Sequence, residues 1–315
     1  MKVKKLRLTK FSIVGLLFIV ACGANENESE NSSYPPIGGG ESVVSSYPTI
    51  SDFFPFEANT TFVTRTVPDS MFELEEQMFT AFVSENRFQQ RVSSMGIDTT
   101  AILQYSDGVL RQVFSEVNLY MYEDVTNVEP NTEFVVLAEP LAPGTIWQTA
   151  DGITSQITAV NKEITTPFAT FTETLEVTTD FPDGSYSVSV FAKGHGRVWD
   201  SYTISFEDTT TSITTHLVDV IHGPMQTELV IFEGEDPIEI IDIYINTNQN
   251  FEEIFSEIIG VSINKIEVIR NGEDTTVYVD FAAEPYSMVN VSNIFTNFYR
   301  VLTFVPTING APYAE

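Results

Sequence analysis

The stretch ETLEVTTDFPDGSYSVSVFAKG, residues 173–194, sets the fold class of this chain. Apolar and polar residues alternate in ETLEVTTD and again in YSVSVFAKG, with the period of two that is typical of a half-buried strand. Between the two runs, Pro182 precedes Asp183-Gly184, and an x-Pro-Asp-Gly sequence favours a tight turn. The stretch therefore predicts two antiparallel strands joined by a hairpin.

The same alternation of apolar and polar residues, interrupted by turn sequences, extends over residues 51–222. TAILQYSDGVLRQVFSE (100–116) alternates around Asp107-Gly108, and Asp151-Gly152 marks a further turn. Thr, Val, Ile, Phe and Tyr dominate, and helical spacing is absent over any useful length. We predict a β-rich domain, an antiparallel meander of about eight to ten strands that forms either a barrel-like sheet or a sandwich.

The sequence changes character at Gly223-Pro224. TELVIFEG and IEIIDIYIN predict strands, and NFEEIFSEIIG has apolar residues at helical spacing, with Asn250 as a cap and Gly260 as a stop. NKIEVIRNGEDTTVYVDF then predicts a hairpin around Asn271-Gly272. A second helix and a terminal edge strand, VPTINGAPYAE, follow; the helix has an apolar stripe of Val291, Ile294, Phe295, Phe298, Val301 and Leu302. We expect residues 223–315 to be an α+β domain with two helices on one face of an antiparallel sheet.

Residues 1–21 have the organisation of an export signal. The apolar run FSIVGLLFIVA (11–21) is too short to span a bilayer core of roughly 30 Å as a helix. The run is preceded by five positive charges, at Lys2, Lys4, Lys5, Arg7 and Lys10. The alternative is an ordinary secretory signal that is followed by Cys22 only by chance. That alternative would leave the Cys22 thiol free in an oxidising compartment.

Ile19-Val20-Ala21-Cys22 resembles the lipobox of bacterial lipoproteins. The resemblance implies diacylglycerol on the Cys22 sulfur, cleavage before Cys22, and a mature protein anchored by lipid on the extracytoplasmic face of the cell membrane. Residues 22–50 are rich in Asn, Glu, Ser, Pro and Gly, a composition that cannot bury a core and predicts a flexible linker.

The chain is strongly acidic. It has 15 Lys and Arg against 44 Asp and Glu, a formal net charge of −29, and removal of the signal would take this to about −34. A field of one sign repels polyanions, which argues against nucleic acid as a partner. Cation binding is compatible with such a charge, and so is a surface adapted to high external pH or salt.

The order of elements in residues 223–315 is similar to that of the GerMN domain of sporulation and germination lipoproteins. The matching text is NKIEVIRNGEDTTVYVDFAAEP and INGAPY, with the helix NFEEIFSEI upstream. The Gly-Pro and Leu-Pro segments usual between the first helix and the hairpin are replaced here by GVSIN.

Residues 51–222 resemble the β-domain that precedes GerMN in lipoproteins of spore-forming and related Gram-positive bacteria. The matching pieces are DFFPFEANTTFV (52–63), LAEPLAPGTIWQTADG (137–152), ITTPFATFTETLEVTT (164–179) and FAKGHGRVWDSY (191–202). The resemblance implies a non-enzymatic envelope lipoprotein, and it carries no catalytic residues over to this chain.

Motifs for catalysis and cofactor binding are missing from the sequence. His195, His216 and His222 do not have metal-ligand spacing, and Gly194-His195-Gly196 is interpreted as a turn. No Gly-x-Ser-x-Gly box or Walker motif occurs. We therefore expect no catalytic residue, no cofactor and no metal ligand.

Acidic and aromatic groups leave some alternatives open. Asp180 and Asp183 faintly suggest a calcium loop, but a hairpin turn explains both. An acidic group near residue 240 is interpreted as a loop and a solvent-facing strand side, and four aromatic residues either line a glycan-stacking groove or belong to the core. The acidic group is Glu235, Asp236, Glu239 and Asp242, and the aromatic residues are Trp147, Phe191, Trp199 and Tyr202.

These patterns favour a non-catalytic binding or assembly module of the envelope, with peptidoglycan or an envelope protein as its partner. One alternative is an extracytoplasmic glycan hydrolase that uses two carboxylates. Another is a solute-binding lipoprotein, but such proteins usually alternate strands and helices across two lobes, and this chain is β first and α+β afterwards.

Overall fold

The structure is a computed structural model that describes residues 48–54, 56–67, 74–94, 97–117, 123–149, 151–206, 209–245, 251–271, 274–299, 301 and 303–313. The predicted signal peptide, Cys22 and nearly all of the predicted linker lie outside these ranges, as do Asn250, Gly272 and Leu302. The chain divides between His222 and Gly223 into two compact units, here called the N-terminal and C-terminal units.

The described part of the N-terminal unit consists of one short helix and a series of strands. The helix is α1 (Ile50–Phe53), and the strands are β1 (Thr60–Thr66), β2 (Glu75–Val83), β3 (Arg87–Ser94), β4 (Ile97–Ser106), β5 (Val109–Val117), β6 (Phe134–Ala138), β7 (Ile146–Gln148), β8 (Thr154–Val160), β9 (Ile164–Thr165), β10 (Thr170–Phe171), β11 (Thr174–Asp180), β12 (Tyr186–Ala192), β13 (Gly196–Phe206) and β14 (Thr209–His222).

A 12-stranded antiparallel sheet forms most of this unit, in the order β6-β5-β4-β3-β2-β1-β14-β13-β12-β11-β8-β7. Its two edge strands, β6 and β7, meet each other. The indole Nε1–H of Trp147 on β7 donates to the carbonyl of Val135 on β6 at 3.0 Å. The sheet is therefore a nearly closed, barrel-like one. The β-rich prediction is confirmed, and the sheet has more strands than the eight to ten expected.

Some strands lack the alternation by which the sequence reveals a strand. In β1, TTFVTRT, all residues except Arg65 are buried. Its neighbours β14 and β2 cover its two edges, and the burial of successive residues shows that both of its faces are covered as well. Burial on both faces removes the period of two, and for that reason the strand count from sequence was too low.

The apolar residues of α1 and the residue that follows it pack in the core of the N-terminal unit. Ile50, Phe53 and Phe54 are buried in a cluster with side chains from β3 to β8, β11 and β12. The backbone N–H of Ile50 donates to Glu139 Oε1 at 2.8 Å, and the Tyr105 hydroxyl donates to the same oxygen at 3.3 Å. Ile50, which the sequence places at the end of the linker, is thus fully buried.

The C-terminal unit contains a hairpin, two helices and a small sheet. Its elements are β15 (Met225–Glu233), β16 (Asp236–Ile245), α2 (Phe251–Ile259), β17 (Ile263–Asn271), β18 (Asp274–Phe281), α3 (Met288–Tyr299), β19 (Thr303–Ile308) and β20 (Ala311–Pro312). β15 and β16 pair as an antiparallel hairpin, and the other strands form a sheet in the order β17-β18-β19-β20.

The two helices meet through aromatic rings. Phe255 of α2 stacks on Phe295 of α3 with ring centroids 4.5 Å apart, and it meets Phe298 edge-on at 5.1 Å. Phe281 of β18 approaches Phe295 from the sheet, at 6.5 Å. α2 ends before Gly260, whose φ of 74° is the left-handed conformation common after a helix. Both predicted helices are present, but α3 ends at Tyr299, so Val301 of the predicted apolar stripe lies beyond it. None of the described helices is long and apolar enough to cross a membrane.

One strand pair differs from the antiparallel sheet expected for residues 223–315. β18 and β19 are parallel, because α3 connects them as a crossover and returns the chain in its original direction. β19 is also covered by β20 and is not an edge. The Asp280 carboxylate joins the two quoted motifs YVDF and INGAPY, since it accepts from Gly310 N–H and the Thr307 hydroxyl, both at 2.7 Å.

We expect Trp147→Phe to destabilise the N-terminal unit by about 1–3 kcal/mol, because the buried Val135 carbonyl loses its donor at the junction of β6 and β7. Urea unfolding monitored by circular dichroism measures the loss. Trp199→Phe is the matched control, since it removes a half-buried indole from β13 without touching that junction. Equal losses in the two variants would contradict a specific role for the Trp147 hydrogen bond.

Candidate functional site

A buried ionic cluster lies on the concave side of the barrel-like sheet. Arg197 of β13 contacts Glu76 of β2 at 3.1 Å, and its second terminal nitrogen lies 3.9 Å from Asp200 Oδ1. Asp200 also accepts a hydrogen bond from the Ser189 hydroxyl. β2 and β13 are separated in the sheet by β1 and β14, so a flat sheet would hold them roughly 14 Å apart. Curling of the sheet brings the side chains together.

Two carboxylates share one guanidinium in this cluster. The side chains of Glu76 and Asp200 are only 14% and 5% exposed. Burial raises the pKa of Glu76 more than attraction to Arg197 lowers it, and repulsion by Asp200 adds to the rise. Burial likewise raises the pKa of Asp200, against the opposing effects of Arg197 and the Ser189 hydrogen bond. The fully ionised cluster would carry a net negative charge in the interior, so burial opposes the ionisation of both carboxylates at once.

A small cavity adjoins the cluster. Its volume is about 30 Å³, room for about two water molecules. A glycan hydrolase also uses two carboxylates of unequal pKa, but it needs a cleft that admits a sugar ring. Here Arg197 holds both carboxylates, so the arrangement is that of an interior polar network. The cavity is lined by Phe134, Val136, Ser155, Val177, Thr179, Phe181, Ser187, Ser189, Phe191 and Arg197.

The β15–β16 hairpin has one buried and one exposed face. On the buried face, Met225, Leu229 and Ile243 pack beneath the hairpin, and β15 lies against α3. The other face is here called the open face, and on it Ile240 is 61% and Tyr244 55% exposed. The open face comprises the cross-strand pairs Val230–Ile240, Glu228–Asp242 and Gln226–Tyr244.

The open face carries a like-charge pair at its centre. Glu228 and Asp242 are directly opposite each other in the register, and both are exposed. Like charges in such positions repel and destabilise a sheet. Within the described ranges, neither carboxylate forms an ion pair with Lys or Arg. The open face therefore combines exposed apolar side chains with uncompensated negative charge.

Comparison with known proteins assigns no family to the chain. No protein-family model matches it, and no curated protein matches it either. One similar solved structure is a "putative lipoprotein" from Parabacteroides distasonis, with a TM-score of 0.31 and 15% sequence identity, covering 54% of this chain and 98% of the other. A TM-score of 0.31 falls short of a shared fold, so this likeness assigns neither architecture nor function.

The three histidines lie in separate places. His195 lies in the turn between β12 and β13, as predicted. Its ring centroid is 5.0 Å from that of Phe171. His216 lies on β14, where burial and the charge of Arg65 lower its pKa. His222 ends β14. In the described part of the chain, no group of three or more His, Cys, Asp or Glu is placed to hold a metal ion.

The other predicted groups have structural roles. Asp183 accepts hydrogen bonds from the backbone N–H and the hydroxyl of Ser185, which makes it part of the β11–β12 turn. Trp147 and Phe191 are core residues. Trp199 is half-buried, and the Tyr202 hydroxyl bonds to Ser185 at 2.9 Å. The acidic group near residue 240 occupies the hairpin turn and exposed positions of β16, as expected.

Sequence reasoning missed the interior cluster. Glu76 and Arg197 are 121 residues apart, and no local pattern links them. The available signal was GRVWDSY, where Arg197 and Asp200 interrupt a strand otherwise rich in apolar residues. Charged residues inside a strand point either to solvent or to a buried partner, and only the curvature of the sheet decides between the two.

We expect Arg197→Met to destabilise the N-terminal unit by about 3–5 kcal/mol near pH 7.5, because two carboxylates remain buried without their cation. The loss should be smaller near pH 4.5. In the folded state the pKa values of Glu76 and Asp200 are raised, so their contribution to stability is complete below about pH 4 and is lost as pH rises through the raised values. Without Arg197 that decline becomes steeper. Urea unfolding at the two pH values measures it.

Arg65→Met is the matched control, because Arg65 pairs with Glu75 at the surface, with side-chain exposures of 56% and 42%. Surface pairs contribute about 0–1 kcal/mol, so this variant should unfold almost as the unmodified chain does at both pH values. A loss for Arg197→Met that does not depend on pH would contradict the raised pKa values of Glu76 and Asp200.

Proposed function

We propose that this chain is a lipid-anchored cell-envelope protein that acts as a non-catalytic binding or assembly module, with peptidoglycan or another envelope protein as its partner. In this proposal, lipid on Cys22 holds it at the extracytoplasmic face of the cell membrane. The observation that carries the binding role is the open face, where Ile240 and Tyr244 are more than half exposed on a strand whose other face is buried. Exposed apolar side chains on a strand mark interaction surfaces.

We further infer that residues 223–315 are a GerMN-like domain. Support comes from the order β16, α2, β17, β18, α3, β19, which is the order for which the resemblance was stated. The hydrogen bonds of Asp280 add to it, because they join the YVDF and INGAPY segments on which the resemblance rests.

A role without catalysis is supported by the interior of the N-terminal unit. Glu76 and Asp200 are both in contact with Arg197, and the adjoining cavity has a volume of about 30 Å³, which is room for about two water molecules. A carboxylate pair that is tied in this way has no free acid and base for a glycan on either side of a scissile bond.

The anchor is tested with Cys22→Ser. We expect this variant to incorporate no radiolabelled palmitate and to leave the membrane fraction, because the sulfur atom that would carry the lipid is gone. The double variant Cys22→Ser/Ser29→Cys is the control, since it restores a thiol outside the lipobox and should remain unlabelled. Labelling of either variant would contradict anchoring through Cys22.

The binding role is tested with the full chain in detergent, offered purified peptidoglycan in one arm and solubilised envelope proteins in the other. We expect saturable binding in one arm, and about tenfold weaker binding for Ile240→Ser/Tyr244→Ser, because both side chains are exposed and lie on the open face. Co-sedimentation measures the first arm and crosslinking with mass spectrometry the second. A chain that binds in neither arm would refute the proposed function.

A further inference from the structure

We propose that the open face and the free edge of β16 bind an extended basic segment of another protein, which joins the β15–β16 hairpin as a third strand. The inference rests on the proposed function, since it names the kind of partner that the binding module takes. It combines three features of the hairpin: an unpaired edge, an exposed apolar row and an uncompensated acidic centre.

The edge is suited to pairing. β16 pairs with β15, and among the described strands none pairs with its other side. Proteins usually protect such edges with Pro, Lys or a bulge. β16 has Pro237 and a shift in register beside Ile238, both close to the hairpin turn. From Glu239 to Ile245 it has no Pro, Lys or Arg, so every second residue of this stretch can offer its backbone N–H and C=O to an added strand.

The side chains of the open face specify the composition of that strand. Ile240, Asp242 and Tyr244 follow one another along the open face at intervals of two residues. A strand beside β16 presents its own alternate side chains to these three, because the side-chain period of a strand is two. It therefore needs apolar residues beside Ile240 and Tyr244, and Lys or Arg beside Asp242. The cation would also lie close to Glu228 and relieve the repulsion between the two carboxylates.

A second copy of this chain does not fit that description. β16 contains Asp236, Glu239 and Asp242 and no basic residue, so two copies of the strand would bring like charges together. Elsewhere in residues 223–315 the basic residues are Lys265, Arg270 and Arg300, and the whole chain has a formal net charge of −29. Charge complementarity thus assigns the site to a basic segment of a different protein.

The test uses the full chain in detergent and the fluorescein-labelled peptide Thr-Val-Thr-Lys-Thr-Val-Thr, read by fluorescence anisotropy. We expect saturable binding that is at least tenfold tighter than that of the same peptide with Glu in place of Lys. Replacing the two threonines beside the lysine with proline should abolish binding, because proline cannot donate to the edge of β16. A difference of less than threefold between the Lys and Glu peptides would overturn the inference.

Variants assign the binding to the open face. We expect Ile240→Lys to weaken binding of the Lys peptide at least tenfold, and Asp242→Lys to reverse the preference in favour of the Glu peptide. Ile269→Lys is the matched control, because Ile269 is 37% exposed on the edge strand β17 of the same unit. Circular dichroism verifies folding, and Asp242→Asn replaces any variant that fails to fold. Equal losses in Ile240→Lys and Ile269→Lys would overturn the inference.

A photoreactive residue at position 240 or 289, introduced into the full chain in intact cells, separates this inference from the proposed function. Val289 is 58% exposed on α3, which packs against β15 and not along the free edge of β16. A protein adduct at position 240 supports the inference when it maps to a Lys or Arg with apolar residues two positions away on both sides. An adduct from position 289 alone, or binding to peptidoglycan without any adduct, overturns the inference and leaves the proposed function standing.

Discussion

The architecture of the N-terminal unit depends on one constraint: its 12-stranded sheet curls until β6 and β7 meet. The Trp147 indole makes the bridge by donating to the Val135 carbonyl. This curling brings the two edge strands together, although no strand pairing joins β6 to β7. It also creates an interior that must be filled, and Ile50, Phe53 and Phe54 enter it from the start of the folded chain. The attachment of the linker and the packing of the core are thus consequences of the same curvature.

Curvature also explains the polar interior. Strands that lie three places apart in the sheet order face each other across the concave side, so Glu76 and Arg197 can pair at 3.1 Å. Removing these charges from water costs several kcal/mol for each ion, and hydrogen bonds and ion pairs recover only part of that cost. The raised pKa values of Glu76 and Asp200 show that burial outweighs the attraction of Arg197. The cluster therefore links β2 to β13 by contact, and its presence is weak evidence for added stability.

The sequence predicted those features that depend on near neighbours. Asp107 and Gly108 have φ values of 53° and 71°, as the two-residue turn of a hairpin requires, and α2 ends at Ile259, directly before Gly260. Features that depend on distant contacts were missed. β1 shows no alternation because both of its faces are buried, and the pairing of β19 with β18 depends on the path of α3 over the sheet. The open face was partly foreseen, since Asp242 was placed on a solvent-facing strand side, but its pairing with Glu228 required the register.

The two units differ in whether their strand edges are open, and negative charge explains how the C-terminal unit can keep an open edge without self-association. In the N-terminal unit the two edge strands, β6 and β7, meet, whereas in the C-terminal unit β16 has a long open edge. An open edge with exposed isoleucines invites association between identical chains, and a lipid anchor of the kind proposed would concentrate those chains on one surface. Glu239 and Asp242 oppose such pairing, because every copy brings the same negative charges to the junction. Asp242 and the Glu228 carboxylate opposite it would attract the basic strand that we propose as the partner, so Asp242 acts both against a second copy and in favour of that strand.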